Sequence, residues 1–221
     1  MKGLFDYDGT VMQFLGKVTD LMILNVLTVL CCLPIFTIGA ALTAAHYTAL
    51  RICRNTEGRV AQNFFKSFRQ NFKQSTVIWL LLIVVALFLG YDLYITSQFD
   101  SNLIHASRVA IMLSMVLVVF VFTWVFPLQA KFINTTWATI RNAFVLSMAH
   151  FIRTIGMIFA GLLPVLLLVI GFRVTPIFLA FGISLPVYLG TLIYDKVFKK
   201  MEDMILEKQG EGQPKEEVEG E

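Results

Sequence analysis

Long uncharged runs of apolar residues alternate with short charged segments along most of the chain. The run over 109–130, VAIMLSMVLVVFVFTWVFPLQA, contains no Asp, Glu, Lys, Arg or His. A helix of about 20 such residues crosses a hydrocarbon core of about 30 Å. The hydropathy pattern therefore predicts an all-α fold, a polytopic transmembrane helical bundle. Its spans are expected at 20–50, 76–97, 109–130, 154–172 and 176–194.

The first predicted span is too long for one straight crossing. Pro34 removes a helix hydrogen bond in its middle and Gly39 loosens the chain, so a kink or break is expected there. Two arrangements stay open. A bent helix gives five spans with the N-terminus outside, whereas a reversal of the chain gives six spans with the N-terminus inside.

Two connections between spans have the pattern of amphipathic helices that lie at a membrane surface. The first carries Phe65, Phe68 and Phe72 at helical spacing beside basic residues. The second carries Phe144 and Phe151 in a similar pattern. The two segments align loosely at an offset of 79 residues. This alignment suggests either an internal duplication, which is common in transporters, or two independent interfacial helices.

Composition supports the membrane assignment. Hydrophobic residues make up 57% of the 221 residues and charged residues only 15%, compared with about 25% in soluble domains. The mean hydropathy is +0.73. We predict a single transmembrane domain over 1–208, followed by a disordered acidic tail over 209–221, which contains five Glu and no core-forming run.

Basic residues are concentrated in the segments 51–73, 131–153 and 196–200. The intervening connections near 98–108 and 173–175 carry little charge. By the positive-inside rule, the three basic segments and the C-terminus are cytoplasmic. Because this rule accounts for the net charge of +3, no nucleic-acid partner is expected.

Few polar or ionisable residues fall within the predicted spans. Such a charge costs about 2.5 to 3.5 kcal/mol at a helix centre, so each one needs a partner or a role. Asp92 is expected to pair with Arg108 or Arg173, and Asp20 joins them if the N-terminus is outside. This group could line an outward vestibule for a polar ligand, or it could be interfacial anchoring with one structural ion pair. Asn25 is expected to hydrogen-bond between helices rather than to bind a ligand.

The inner end of the first span carries a further polar group. His46, Arg51 and Arg54 fall on adjoining helical turns. They could form a small site for an anion or a lipid headgroup. The plainer interpretation is that they mark the positive cytoplasmic boundary of the membrane.

Signatures of catalysis are missing from the sequence. It contains no HExxH, GxSxG, Walker A or EF-hand pattern, and its three histidines stand far apart. Its three cysteines have no spacing suited to zinc. We therefore expect a protein that is not an enzyme, with no catalytic residue, no cofactor and no metal site.

Three segments resemble the YesL-like family of bacterial integral membrane proteins, a domain of unknown function. They are LFDYDG near the start, DLMILNVLTVLCCLPIFTIGAALTAAHY in the first span and FFKSFRQNFKQSTVIW after it. The resemblance covers residues 3–80 most closely and implies a bacterial cytoplasmic membrane, but no activity and no residue roles. The matching motif positions are Phe5, Asp8, Gly9, Asp20, Asn25, Pro34, Gly39, Phe65, Phe68 and Phe72.

The resemblance also implies a genomic setting beside sugar-import transporters, sensor kinases and glycan-degrading enzymes. Two functions follow as hypotheses. The first is an accessory subunit that binds sugar-import permeases or sensor kinases in the bilayer. The second is a small transporter or channel for a polar solute, for which a homo-oligomer could supply the pathway. A transporter needs a continuous polar path, whereas a partner-binding subunit needs an exposed apolar or small-residue face.

Overall fold

A computed structural model describes residues 10–56, 58–99, 102–170, 176 and 180–211, and every regular element in these residues is helical. A short 3-10 turn over Ile35–Thr37 joins the first two helices. Among the described residues the seven long helices are α1 (Thr10–Cys32), α2 (Ile38–Cys53), α3 (Val60–Ser97), α4 (Asn102–Lys131), α5 (Thr136–Ala149), α6 (Phe151–Ile170) and α7 (Ser184–Glu211).

Three of the described helices are long and apolar enough to cross a membrane. They are α1, α3 and α4, over Val11–Cys32, Val60–Ser97 and Ile104–Lys131. The bent pair α5 and α6 raises the number to four if it counts as one span. The chain is therefore a multi-pass helical membrane protein, and the finer count of five or six spans stays a prediction.

The chain reverses direction between α1 and α2. Helix α1 ends at Cys32, two residues before Pro34, because the residue before a proline is disfavoured in helical conformation. The Thr37 hydroxyl donates to the Cys31 carbonyl at 2.6 Å and holds the turn. Leu21 of α1 then belongs to the same buried cluster as Ile52 of α2, so the two helices are antiparallel.

Helix α2 forms the centre of the bundle because its packing face is built from small residues. Its alanines 40, 41, 44, 45 and 49 are fully buried. A Cβ at Gly39 would lie 2.6 Å from Trp79 Cβ and closer still to the Ser75 carbonyl oxygen of α3. The expectation that Gly39 loosens a kink therefore needs correction, since this glycine lies inside α2 and allows α2 and α3 to approach closely.

The first predicted interfacial helix is not a separate element. Phe65, Phe68 and Phe72 lie in the N-terminal part of α3, which continues unbroken for 38 residues. No Pro or Gly interrupts the chain between Val60 and Leu89, so nothing separates a surface helix from the span. The phenylalanines pack along this extension instead, with Phe68 and Phe72 ring centroids 5.4 Å apart.

The second predicted interfacial segment is divided between two helices. Phe144 belongs to α5 and Phe151 begins α6, and the two helices meet at an angle of 105°. Trp124 Nε1 of α4 donates to the Thr154 hydroxyl at 2.8 Å and ties α4 to this bend. Helix α5 therefore runs across the direction of α6, an orientation compatible with a helix at the membrane surface.

The far halves of α3 and α4 form a hairpin without a core. We call residues 83–97 and 104–119 the projecting hairpin, and none of them is buried. Trp79 Nε1 donates to the Ile35 carbonyl at the α1–α2 turn, and α3 continues about 27 Å beyond that level. Exposed apolar side chains on the hairpin include Val84, Leu87, Phe88, Val109, Leu113 and Val116.

Several predictions concern the ends of the described ranges. Helix α7 continues to Glu211, so residues 209–211 are helical rather than part of a disordered tail. Residues 212–221 lie outside the described part of the chain. The same holds for Arg173 and for the motif positions Phe5, Asp8 and Gly9.

Candidate functional site

A cluster of ion pairs joins α2, α4 and α7 at one end of the bundle. Arg54 Nε lies 2.7 Å from Asp195 Oδ1, and Arg54 Nη1 lies 3.0 Å from Glu202 Oε2. Lys131 Nζ reaches Glu202 Oε1 at 2.7 Å, and Lys199 Nζ reaches Asp195 Oδ2 at 3.1 Å. We call this end of the molecule the basic end. It contains one cation from each of the three segments that the charge pattern placed on one side of the membrane.

The carboxylates of the cluster are held in their charged form. Burial acts to raise the pKa of Asp195, but hydrogen bonds from Arg54 and Lys199 outweigh it and hold this pKa below the usual range. Burial likewise acts to raise the pKa of Glu202, and hydrogen bonds from Lys131 and Arg54 again lower it. Both acids are therefore ionised at neutral pH and bind the three helices together.

A buried polar chain lies beneath the ion cluster. The Thr191 hydroxyl donates to the Val187 carbonyl at 2.8 Å and lies 2.9 Å from the Tyr194 hydroxyl. His46 Nδ1 of α2 lies 3.2 Å from the same tyrosine oxygen. Tyr194 is almost fully buried and packs on Phe198 with ring centroids 4.7 Å apart. This series of hydrogen-bonded side chains therefore fixes α7 against α2 inside the core.

Asn25 performs a structural task between distant helices. Its side-chain oxygen accepts from the main-chain N–H groups of Ile183 at 2.8 Å and Ser184 at 2.9 Å. Ile183 immediately precedes α7 and Ser184 is its first residue, a position where N–H groups have no partner within the helix. Fully buried Asn25 thus caps α7 from α1, which supports the expected interhelical role.

The structure separates the charged residues that the sequence grouped together. Asp20 lies near Arg51 and Asn55, beside a polar cavity of about 100 Å³ at the basic end. That cavity also contacts Val60 at the start of α3, whereas Asp92 lies 32 residues further along the same helix. Asp20 was expected to join Asp92 only if the N-terminus lay on the same side, and the structure does not bring the two together. The chain reverses at Pro34, so the end of α2 returns to the basic end, where Asp20 near the start of α1 already lies.

The pairing of Asp92 with Arg108 also differs from expectation. Arg108 Nη2 donates to the carbonyls of Thr96 at 2.7 Å and Phe99 at 3.2 Å. These carbonyls lie at the C-terminal end of α3, where the regular bonds to residues four positions ahead stop and the carbonyls attract a cation. Asp92 has no ion-pair partner among the described residues, and Arg173 lies outside them.

His46, Arg51 and Arg54 do not form one anion site. Arg54 binds two carboxylates, whereas His46 points to Tyr194. Asp195 and Glu202 were not among the candidate residues predicted from the sequence. The signal was present, because these acids stand seven residues apart within a basic segment and therefore share a helix face.

The ion cluster has the chemistry of a structural clamp. Its carboxylates are neutralised by cations that come from the ends of α2 and α4 and from α7 itself. The described part of the chain contains no group of three or more His, Cys, Asp or Glu that could hold a metal ion.

Comparison with known proteins places these features in a family. Residues 21–93 match the family model described as protein of unknown function, DUF624. The chain is 31% identical to the uncharacterized protein YesL of Bacillus subtilis (strain 168) over 195 residues, which cover 86% of this chain and 90% of the relative. The chain belongs to the YesL-like family.

Membership in the YesL-like family agrees with the motifs in the first span and in α3. The DUF624 match includes the α1–α2 turn, the close contact of Gly39 with α3 and Asp92. It ends before α4, so the ion-pair partners Lys131, Asp195 and Glu202 lie beyond it. No solved structure matches the chain.

Proposed function

We propose that this YesL-like protein is a non-enzymatic accessory subunit of the bacterial cytoplasmic membrane that binds partner membrane proteins of carbohydrate uptake or its sensing. The observation that carries this proposal is the projecting hairpin. Many of its large apolar side chains are exposed, and no residue over 83–97 or 104–119 is buried. It is the exposed apolar face that a partner-binding subunit needs. The link to carbohydrate rests on the family resemblance.

Asp92 makes the hairpin better suited to a protein partner than to lipid alone. A carboxylate within a span costs up to about 3 kcal/mol unless it is paired or hydrated. Among the described residues Asp92 has no ion-pair partner, since Arg108 binds main-chain carbonyls instead. A cationic or hydrogen-bonding group on a partner helix would satisfy it. We therefore place Asp92 at the centre of the contact.

The alternative, a transporter for a polar solute, has less support. Two sets of buried polar side chains between the ends of the bundle join neighbouring helices: Thr43 lies 2.8 Å from Ser75, and Asn25 caps α7. The large cavity among the described residues, of about 570 Å³, is lined mainly by apolar side chains. These features favour a subunit that holds its shape and presents a surface.

The orientation is proposed from charge. The antiparallel pair of α1 and α2 brings Lys17 of α1 to the basic end, near Arg51. Lys131 and Lys199 lie at the same end. By the positive-inside rule we place this end in the cytoplasm, with the beginning of α1 and the end of α7. An even number of crossings, six, agrees with this arrangement.

Co-purification from the native membrane tests the proposal. A tagged full-length chain is extracted in mild detergent and its stoichiometric companions are identified by mass spectrometry. Two double variants each truncate one exposed Leu and one exposed Phe to Ala. The hairpin pair is Leu87→Ala with Phe88→Ala, and the control pair, on an exposed face elsewhere, is Leu30→Ala with Phe36→Ala. Asp92→Leu forms a third variant.

We expect the wild type and the control pair to recover sugar-import permeases or a sensor kinase. The hairpin pair and Asp92→Leu should lose these companions while remaining folded. Recovery of the chain alone or only as a self-associated oligomer would contradict the accessory role, as would equal recovery by all variants. Solute flux in proteoliposomes would then test the transporter alternative.

A further inference from the structure

An apolar cavity of about 570 Å³ lies between α2, α4, α6 and α7. Its described lining includes His46, Phe126, Met157, Gly161, Val187 and Gly190, and contains no Lys, Arg, Asp or Glu. Ligand pockets of proteins commonly measure about 300 to 1,000 Å³. An apolar cavity of about 150 Å³ holds one benzene, so this space is large enough for a long hydrocarbon chain.

Two glycines leave part of this space open. A Cβ built on Gly161 of α6 or on Gly190 of α7 would meet no atom within 4 Å. Larger residues would fit the helical backbone at either position and would enter the cavity. Glycine destabilises a helix by about 1 kcal/mol relative to alanine. The two glycines therefore make α6 and α7 less stable at positions where a larger side chain would reduce the volume of the cavity.

His46 supplies a polar atom to the cavity, and its hydrogen bonds define that atom. The Thr191 hydroxyl donates its proton to the Val187 carbonyl, so it must accept from the Tyr194 hydroxyl. Tyr194 therefore accepts from His46 Nδ1, which carries the imidazole proton. In the neutral ring Nε2 is then an acceptor, and it has no hydrogen-bond partner among the described residues.

We propose that the cavity binds one neutral single-chain amphiphile, whose hydroxyl or protonated carboxyl group donates to His46 Nε2 and whose hydrocarbon chain fills the apolar space. A pure hydrocarbon would leave the imidazole acceptor unpaired. A phosphate or ammonium headgroup would find no opposite charge in the described lining. A long-chain alcohol or fatty acid satisfies both the apolar walls and the single acceptor. This inference is independent of the proposed partner role.

Photolabelling in membranes tests the site. The full-length chain is reconstituted in phosphatidylcholine vesicles with tetradecanol that carries a diazirine in its chain. Labelled residues are mapped by mass spectrometry, and excess tetradecanol or tetradecane serves as competitor. Gly190→Leu and Gly161→Leu fill the cavity from facing helices. Gly90→Leu is the matched control, since Gly90 also has nothing within 4 Å but lies on the projecting hairpin.

We expect saturable labelling of Met157 and its lining neighbours that tetradecanol displaces and tetradecane does not. Either cavity-filling variant should abolish this labelling, and Gly90→Leu should leave it unchanged. His46→Phe should weaken the competition by tetradecanol about tenfold, the effect of losing one hydrogen bond.

Equal competition by tetradecane would overturn the role assigned to His46. Labelling that spreads evenly over the hairpin, or that persists in the folded Gly190→Leu variant, would overturn the site itself. The two competitors act on the wild type, so the comparison stands even if one variant fails to fold. Elution profile and thermal unfolding verify the fold of each variant.

Discussion

The centre of the bundle and the projecting hairpin are built from the same kinds of apolar helix but are stabilised differently. Around α2 the helices approach through fully buried alanines, and buried polar groups bond to one another. In the hairpin no residue is buried and the hydrogen bonds of Arg108 end on main-chain carbonyls. The central helices are therefore positioned by contacts with one another. The position of the hairpin depends instead on the lipid or protein that its exposed side chains contact.

The largest difference should come from the same substitution made in both regions. Gly39→Leu forces a side chain against the Ser75 backbone and Trp79 and should destabilise the protein by about 3 kcal/mol or more, since a backbone neighbour cannot move aside. Gly90→Leu meets open space and should stay within about 1 kcal/mol of the wild type. Thermal unfolding in detergent measures both, and equal losses would disprove the contrast.

Removal of an arginine should have the next largest effect. Arg54→Leu leaves Asp195 and Glu202, with side chains only 10% and 27% exposed, without their shared cation. Breaking such a group should cost about 3 kcal/mol. Arg108→Leu removes only bonds to the end of α3 and should cost about 1 kcal/mol. Chemical unfolding measures the free energy of unfolding of both variants. A larger loss for Arg108→Leu than for Arg54→Leu would contradict the structural clamp.

Asn25→Ala should have an intermediate effect. It removes the cap from the first turn of α7 and leaves two N–H groups without their side-chain acceptor, at a cost of about 2 kcal/mol. Ser114→Ala is the hairpin control, because that hydroxyl bonds only to the Ala110 carbonyl of its own helix. Amide hydrogen exchange should increase around Ser184 in the first variant alone. Unchanged exchange there would show that the cap is dispensable.

The smallest expected effect is the response to acid. The pKa values of Asp195 and Glu202 lie below their ordinary values of 3.8 and 4.5. Their stabilising contribution is therefore complete above those ordinary values. It is lost as the pH falls through the lower pKa values of the folded state. Thermal stability should fall over this acid range in the wild type.

The double variant Asp195→Asn with Glu202→Gln should begin less stable and lose less on acidification. Lys199→Ala is a milder variant, because the Lys199 side chain is 59% exposed and its ion pair contributes little. Parallel acid curves for the wild type and the double variant would contradict the assignment of the ion cluster as a pH-dependent clamp.

Local sequence features anticipated much of the backbone. The helix break follows from Pro34 because proline acts on its own chain within a few residues. The apolar runs predicted the candidate spans of α1, α3 and α4, because hydropathy is also a property of the local sequence. The prediction of a separate interfacial helix before the second span was wrong, because one helix runs from Val60 to Ser97. A periodic pattern of phenylalanines indicates which face of a helix is apolar, but it does not show where the helix ends.

The candidate site was less predictable because its contacts join distant parts of the chain. The sequence marked Arg54 as a boundary residue, yet its partner Asp195 is 141 positions away. Asp20 and Asp92 were expected to be neighbours only if the N-terminus lay outside the membrane. The reversal of the chain at Pro34 instead leaves Asp20 at the basic end. The role of Gly39 likewise depends on Trp79 of another helix, which no local pattern reveals.

The sequence by itself determined the helical class, the apolar spans, the break at Pro34 and the segregation of basic residues. Each follows from hydropathy, charge or proline chemistry that can be read within one segment of the chain at a time. Only the tertiary structure decided that α1 and α2 are antiparallel, that three basic segments meet two acids, and that His46 faces a cavity. Those outcomes depend on how closely helices approach, and side-chain volume and buried hydrogen bonds set that distance only after the chain has folded.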